Sequence, residues 1–200
     1  MERVIMTKED RMYQLERHLE SIMSLLGIEM NKSTEGTPHR IAKMYLDEVF
    51  ANRNNYNIEE ELNSKIKCFP IDYSNEQQEM VILKDIPFFS MCEHHFMPFS
   101  GKITVAYVPC GKIIGLSKIP RIVKYFSKKP QLQERLVKEI ADYVYEQTEA
   151  LAVFVLANNT VHTCVTARGI ETYCDTDTLA CRGEVTEYKP EFYNRLKRGV

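Results

Sequence analysis

The sequence predicts an α+β domain preceded by a helical arm. Three observations predict it. Apolar residues in the first fifty positions recur at helical spacing. Short runs of β-branched and aromatic residues follow. Two helical segments then lie between two strand regions, so strands and helices are segregated rather than alternating. The chain has 200 residues, 44% of them hydrophobic. That is globular composition, long enough to bury a core without disulfide staples.

The elements follow in order. Met12, Leu15, Leu19, Ile22, Met23 and Leu26 share one face of a helix over residues 8–26. Thr7 is placed to cap its start and Gly27 its end. Thr37-Pro38 opens a second helix, with threonine at the N-cap and proline in the first turn. It runs to about Phe50 and buries Ile41, Tyr45 and Val49. Residues 51–64 are Asn- and Glu-rich and read as a polar connection. The helical arm is therefore expected over residues 1–64 and the main domain over 65–200.

Met80–Leu83 and residues 102–108 read as strands, with a turn at Pro109-Cys110-Gly111-Lys112. Ser117 can cap a helix that buries Ile119, Ile122, Val123 and Phe126. Pro130 starts a longer helix carrying Leu132, Leu136, Val137, Ile140 and Val144 on one face. Two more strands are expected, Leu151–Ala157 and Thr160–Ala167, joined by a turn at Asn158-Asn159.

Charge and cysteine narrow the function classes. Lys plus Arg number 26 and Asp plus Glu 28, a net charge of −2. A general nucleic-acid binder would be basic, so no nucleic-acid partner is expected. No apolar run has the length of a membrane span, and the N-terminus lacks the apolar stretch of a signal peptide. A cytoplasmic location without membrane attachment is the expectation. The six cysteines should then be reduced thiols that pack, bind metal or react. No C-x-x-C pair exists among them.

Cys92-Glu93-His94-His95 puts a cysteine and a histidine three apart, a spacing compatible with one zinc ion. His162 and Cys164, two apart on an expected strand, would project to the same face. Cys92, His95 and Cys164 together make a three-ligand set, which leaves a metal position open for water. His94 and His162 would stand beside it as proton-transfer groups. Spacing alone leaves alternatives open: the histidine ligand could be His94, or the residues could simply pack. Packing is the preferred reading for Cys68, Cys110, Cys174 and Cys181, and a surface place for His18 and His39.

Ser117, Lys118 and Arg121 lie at a helix start, where free N–H groups and two cations could meet phosphate. From these residues alone an ordinary capped helix with solvated charges is the preferred reading. Arg168 follows Cys164 by four positions, and Arg40 is an unassigned cation in the second helix. Gln133-Glu134 opens the long helix. Its carboxylate could accept the paired N–H donors of a guanine edge or could merely complement the helix dipole.

Taken in order, these blocks resemble the zinc-dependent GTP cyclohydrolase I family. The resemblance runs from Thr37-Pro38-His39-Arg40-Ile41-Ala42 through Cys92-Glu93-His94-His95-Phe96 and Gly115-Leu116-Ser117-Lys118-Ile119. It continues through Gln131-Leu132-Gln133-Glu134-Arg135 to His162-Thr163-Cys164-Val165-Thr166-Ala167-Arg168-Gly169. It implies a tunnelling fold: an antiparallel four-stranded sheet with two inserted helices. It implies a homo-oligomer, usually a decamer of two pentamers, with sites at subunit interfaces.

The resemblance further implies Zn²⁺ on Cys92, His95 and Cys164, with the activated water adding to C8 of GTP. His94 and His162 would move protons as formate leaves. Glu134 with Gln133 would recognise guanine. Ser117, Lys118, Arg121, Arg168 and Arg40 would hold the triphosphate. The product would be 7,8-dihydroneopterin triphosphate. The chain departs from the family in a short arm before Thr37 and in its tail. There Cys174-Asp175-Thr176-Asp177-Thr178 stands in place of a Ser/Thr-rich run. A deaminase is the rival enzyme, but its H-x-E…P-C-x-x-C signature is absent. A non-catalytic zinc module would need a fourth ligand, such as Cys174 or Cys181.

Overall fold

The computed structural model describes residues 6–52, 62–71 and 79–197. Contacts divide the chain into two compact units, Met1–Ala51 and Asn52–Val200. The boundary expected at residue 64 lies further along, beyond residues 53–61, which fall outside the described residues.

In the first unit, α1 (Lys8–Leu25) starts in a capping box: the Thr7 hydroxyl accepts the Asp10 N–H while the Asp10 carboxylate accepts the Thr7 N–H. Gly27 ends the helix with a positive φ of 72°. Next comes α2 (Thr37–Met44), which continues as a π-helical turn over Tyr45–Val49. Gly36, not Thr37, holds the N-cap position, and Thr37 is already helical. Its hydroxyl accepts a hydrogen bond from Arg40 instead, at 2.9 Å.

The second unit is built on one sheet. Its strands are β2 (Val81–Cys92), β3 (Pro98–Val108), β6 (Ala152–His162) and β7 (Asp175–Gly183), in that order and all antiparallel. A two-residue strand, β5 (Pro130–Gln131), adds in parallel beside the end of β2. Outside this sheet, β1 (Cys68–Pro70) pairs with β4 (Lys112–Ile114). The inserted helices α3 (Ile119–Ser127) and α4 (Gln133–Thr148) lie between β3 and β6 in the chain. This is the expected four-stranded arrangement with two central helices.

Both faces of the sheet are covered, and strand alternation explains how. Val105, Tyr107, Val153 and Val155 point to the face packed by α3 and α4. Ala106, Val108, Ala152 and Phe154 point to the other, where α6 (Val185–Lys197) lays the fully buried Phe192 on Phe154, ring centroids 4.8 Å apart. That double burial gives β3 and β6 their continuous apolar runs.

Four expectations change. Asn158-Asn159 is not a hairpin turn but a bulge inside β6, with shifts against both β3 and β7. Asn159 takes φ 50°, the left-handed conformation asparagine tolerates, so the residue chemistry was apt but the chain does not reverse. The fourth strand is therefore β7, in the stretch that read as an atypical tail. Residues 163–166 form a single helical turn, α5 (Thr163–Thr166), rather than strand. Pro130 belongs to β5, and α4 starts at Gln133.

Candidate active site

The turn after β2 builds the first half of the site. The Cys92 N–H donates to the Met97 carbonyl and the Phe96 N–H to the Cys92 carbonyl, both at 2.9 Å. Phe96 takes φ 51°, closing the turn tightly enough to bring His95 back over Cys92. Cys92 Sγ lies 3.9 Å from His95 Nδ1. Beneath the turn, Arg135 from α4 pairs with Glu93, and its Nε donates to Gln131 Oε1 at 2.8 Å. Gln131 in turn donates to Glu139 at 2.7 Å. Glu93, Gln131 and Arg135 were not singled out in the sequence. The only signal for Glu93 is its place between Cys92 and His94.

The second half comes from the end of β6 and α5. Cys164 projects from that turn, and Cys92, His95 and Cys164 bring their ligand atoms within 4.8 Å of one another. Strand alternation does not place Cys164 beside His162, as expected from the sequence; the helical turn brings Cys164 to the group. Burial first, and then the adjacent Cys92 thiol, push the Cys164 thiol up. Two thiols sharing one pocket ionise readily only when a cation joins them. Two thiolates and an imidazole at this spacing are the donor set zinc prefers, with a fourth position left open. Cys174 and Cys181 are not part of the group.

His162 stacks on Phe99, its partner across the β3–β6 ladder, with centroids 4.7 Å apart and planes 5° from parallel. Its Nε2 lies 2.7 Å from Gln133 Oε1. The amide orientation is fixed because Gln133 Nε2 donates to the Thr176 carbonyl at 3.2 Å. Nε2 of His162 is thus the protonated nitrogen, and Nδ1 keeps its lone pair. Burial pushes the His162 imidazolium down, and the charge of Glu134 opposes it. Gln133 is buried and its oxygen is committed, since Thr176 Oγ1 also donates to it at 2.7 Å. Glu134, one residue on, is exposed.

The remaining candidates separate into groups. Arg168 donates to His95 Nε2 at 2.7 Å, and His94 sits exposed with its ring 6.1 Å from that of His95. Ser117 and Lys118 lie on a 3-10 turn, Leu116–Lys118, that leads into α3 without a side-chain cap, contrary to expectation. Arg121 lines a basic cavity on α3. Arg40 belongs to the first unit, where it also donates to the Ser33 carbonyl at 3.4 Å. Asp177 serves the fold locally, because its carboxylate accepts the Asn159 N–H at 3.2 Å and holds the bulge.

Residues 15–197 match the family model for GTP cyclohydrolase I. The chain belongs to that family. It is 43% identical over 173 residues to the GTP cyclohydrolase 1 of Tolumonas auensis, covering 85% of this chain and 76% of that one. The Clostridium perfringens enzyme of the same name is 42% identical over 178 residues, covering 87% and 90%. An apo archaeosine synthase QueF-Like structure aligns with 55% of this chain and 99% of its own, at a TM-score of 0.45 and 19% identity. As a family member the chain is an enzyme, a hydrolase. No helix among the described residues is long and apolar enough to cross a membrane.

Proposed function

We propose that this protein opens the imidazole ring of GTP by hydrolysis, releasing formate and forming 7,8-dihydroneopterin triphosphate, the entry step to pterins. The observation that carries the reading is the convergence of Cys92, His95 and Cys164, in a chain of this family. Zinc held by those three residues would supply a water acidified to a pKa of about 7.

The side chains divide the remaining work. Glu134 accepts the guanine N–H donors, and the committed Gln133 amide supports it by holding His162. The His162 Nδ1 lone pair takes a proton, while exposed His94 serves the opposite transfer as formate departs. Ser117, Lys118, Arg121, Arg168 and Arg40 neutralise the triphosphate. Several of these reach a neighbouring subunit's site in a homo-oligomer, a decamer of two pentamers, working in the cytoplasm. Positive charge gathered this way is compatible with a net charge of −2.

Purified, zinc-replete protein incubated with GTP should release formate and yield a fluorescent pterin after oxidation. An assembled, metal-loaded preparation without turnover would overturn the reading.

A further inference from the structure

A row of polar side chains runs from the interior to the turn that carries Cys92 and His95. At its buried end Lys129 pairs with Glu139 at 2.9 Å. Glu139 accepts the Gln131 amide at 2.7 Å, and the same amide nitrogen donates to the Phe126 carbonyl at 3.0 Å. Both amide hydrogens are then committed, so the Gln131 oxygen is left for Arg135, whose Nε donates to it at 2.8 Å. Arg135 Nη2 donates to the Pro130 carbonyl at 2.9 Å and pairs with Glu93.

The two ends of this row do different things. Lys129 and Gln131 are buried, and the fold requires that they be partnered. Arg135 and Glu93 have side chains 38% and 31% exposed, and a pair so exposed adds little to stability. Its geometry is the informative part. The guanidinium is planar and already fixed at Nε and Nη2, so it offers Glu93 one direction only. Glu93 is held from a second side as well, because its N–H donates to the Gln131 carbonyl at 3.1 Å. That residue lies between two candidate metal ligands. Cys92 is anchored in the ladder opposite Gln131, whereas His95 is exposed. Phe96 keeps φ 51°, a conformation that a bulky side chain holds only where its surroundings enforce it.

We infer that Arg135 is a positioning residue for the metal. Oriented by Gln131 and Glu139, it fixes Glu93, and with it the approach of His95 to Cys92 and Cys164. The inference rests on the metal reading of those three residues only for the ion. Fixing the turn is a property of the chain itself.

Arg135→Met would orphan the buried Gln131 oxygen and weaken the fold, so the link is best cut at Glu93. Glu93→Ala leaves every buried group of the row partnered. Chelator competition on the purified full-length protein should show zinc held about tenfold or more less tightly. Amide exchange over residues 93–97 should quicken several-fold while that of α4 stays unchanged. Glu93→Gln removes the same charge but keeps an oxygen for the guanidinium, and should recover most of both. That recovery should vanish in an Arg135→Lys background, which keeps the charge without the planar fork. Unchanged zinc affinity or unchanged turn exchange in Glu93→Ala would overturn the inference. Equal losses in Glu93→Gln would overturn it by assigning the effect to charge alone. Recovery that persists with Arg135→Lys, or exchange that quickens equally in α4, would overturn it too. Should the natural chain hold no zinc, the metal reading falls and turn exchange alone judges Arg135.

Discussion

Replacing Gln133 with methionine isolates the hydrogen bonds of the active-site amide from its packing. The two side chains are similar in volume, so the buried space stays filled. Three hydrogen bonds disappear, at 2.7, 2.7 and 3.2 Å. The Thr176 hydroxyl is near the surface and can turn to the Thr160 carbonyl at 3.3 Å. The cost therefore falls mainly on the half-buried His162 Nε2–H. Leaving such a donor without its partner costs about 1–2 kcal/mol. In a chain of this size that lowers Tm by about 2–8 °C at matched protomer concentration. Catalysis should suffer more, because nothing then selects the tautomer with a free Nδ1. Positioned acid–base groups contribute about 10²-fold or more, and a kcat loss approaching that is expected with zinc content intact. Gln133→Glu keeps an acceptor opposite Nε2 and should recover part of the rate. Wild-type kcat and Tm in Gln133→Met would refute the reasoning.

Three further outcomes are expected. Cys164→Ala should lose bound zinc and formate release together, with elemental analysis reading the metal; retained zinc with full activity would show the ligand set to be wrong. Phe192→Ala should cost about 3–5 kcal/mol in chemical denaturation while zinc stays bound, because Phe192 packs on the sheet face opposite α3 and α4. Burial raises the Asp142 carboxyl, but hydrogen bonds and charge from Arg182 and Lys138 outweigh it and leave the pKa below 3.8. The unfolded carboxylate then takes up its proton at higher pH than the folded one. The pair's stabilisation is present above pH 3.8 and lost as pH falls through the lowered value. An acid denaturation series should therefore show a shallower low-pH fall for Asp142→Asn than for the natural chain.

Helices α1 to α4 were legible from their repeating apolar faces, but of the expected N-caps only Thr7 holds, and α6 was not foreseen. Strands β2 and β3 were legible only in their most apolar halves. The outer half of β2, with Lys84, Asp85 and Pro87, lacks a clean alternation, and a bulge between Leu83 and Ile86 interrupts it. Strand β7 was missed because Asp175, Thr176, Asp177 and Thr178 carry no apolar pattern. Its place is fixed by pairing with β6, a partner no local window contains. Of the candidate metal group, a short spacing marks Cys92 and His95 alone; Cys164 lies far along the chain, and the turn α5, not the expected strand, brings its thiol to theirs. The commitment of Gln133 to His162 was not legible, since it joins α4 to the end of β6 across 29 positions.

The bulge in β6 absorbs one residue without moving the site. Asn158 stands opposite Lys102 and Val161 opposite Ser100, so Asn159 and Thr160 together face the single Gly101. Only a glycine fits there: a Cβ on Gly101 would come within 2.8 Å of the Thr160 Cα and 2.9 Å of the Asn158 carbonyl. The side His162 presents is therefore set by its partner across the ladder, Phe99, and not by the number of residues that precede it in β6. Loss of Asn159 would give up the Asp177 contact and straighten the strand, yet keep His162 opposite Phe99. A side chain at position 101 would strain the site more than a missing residue at position 159.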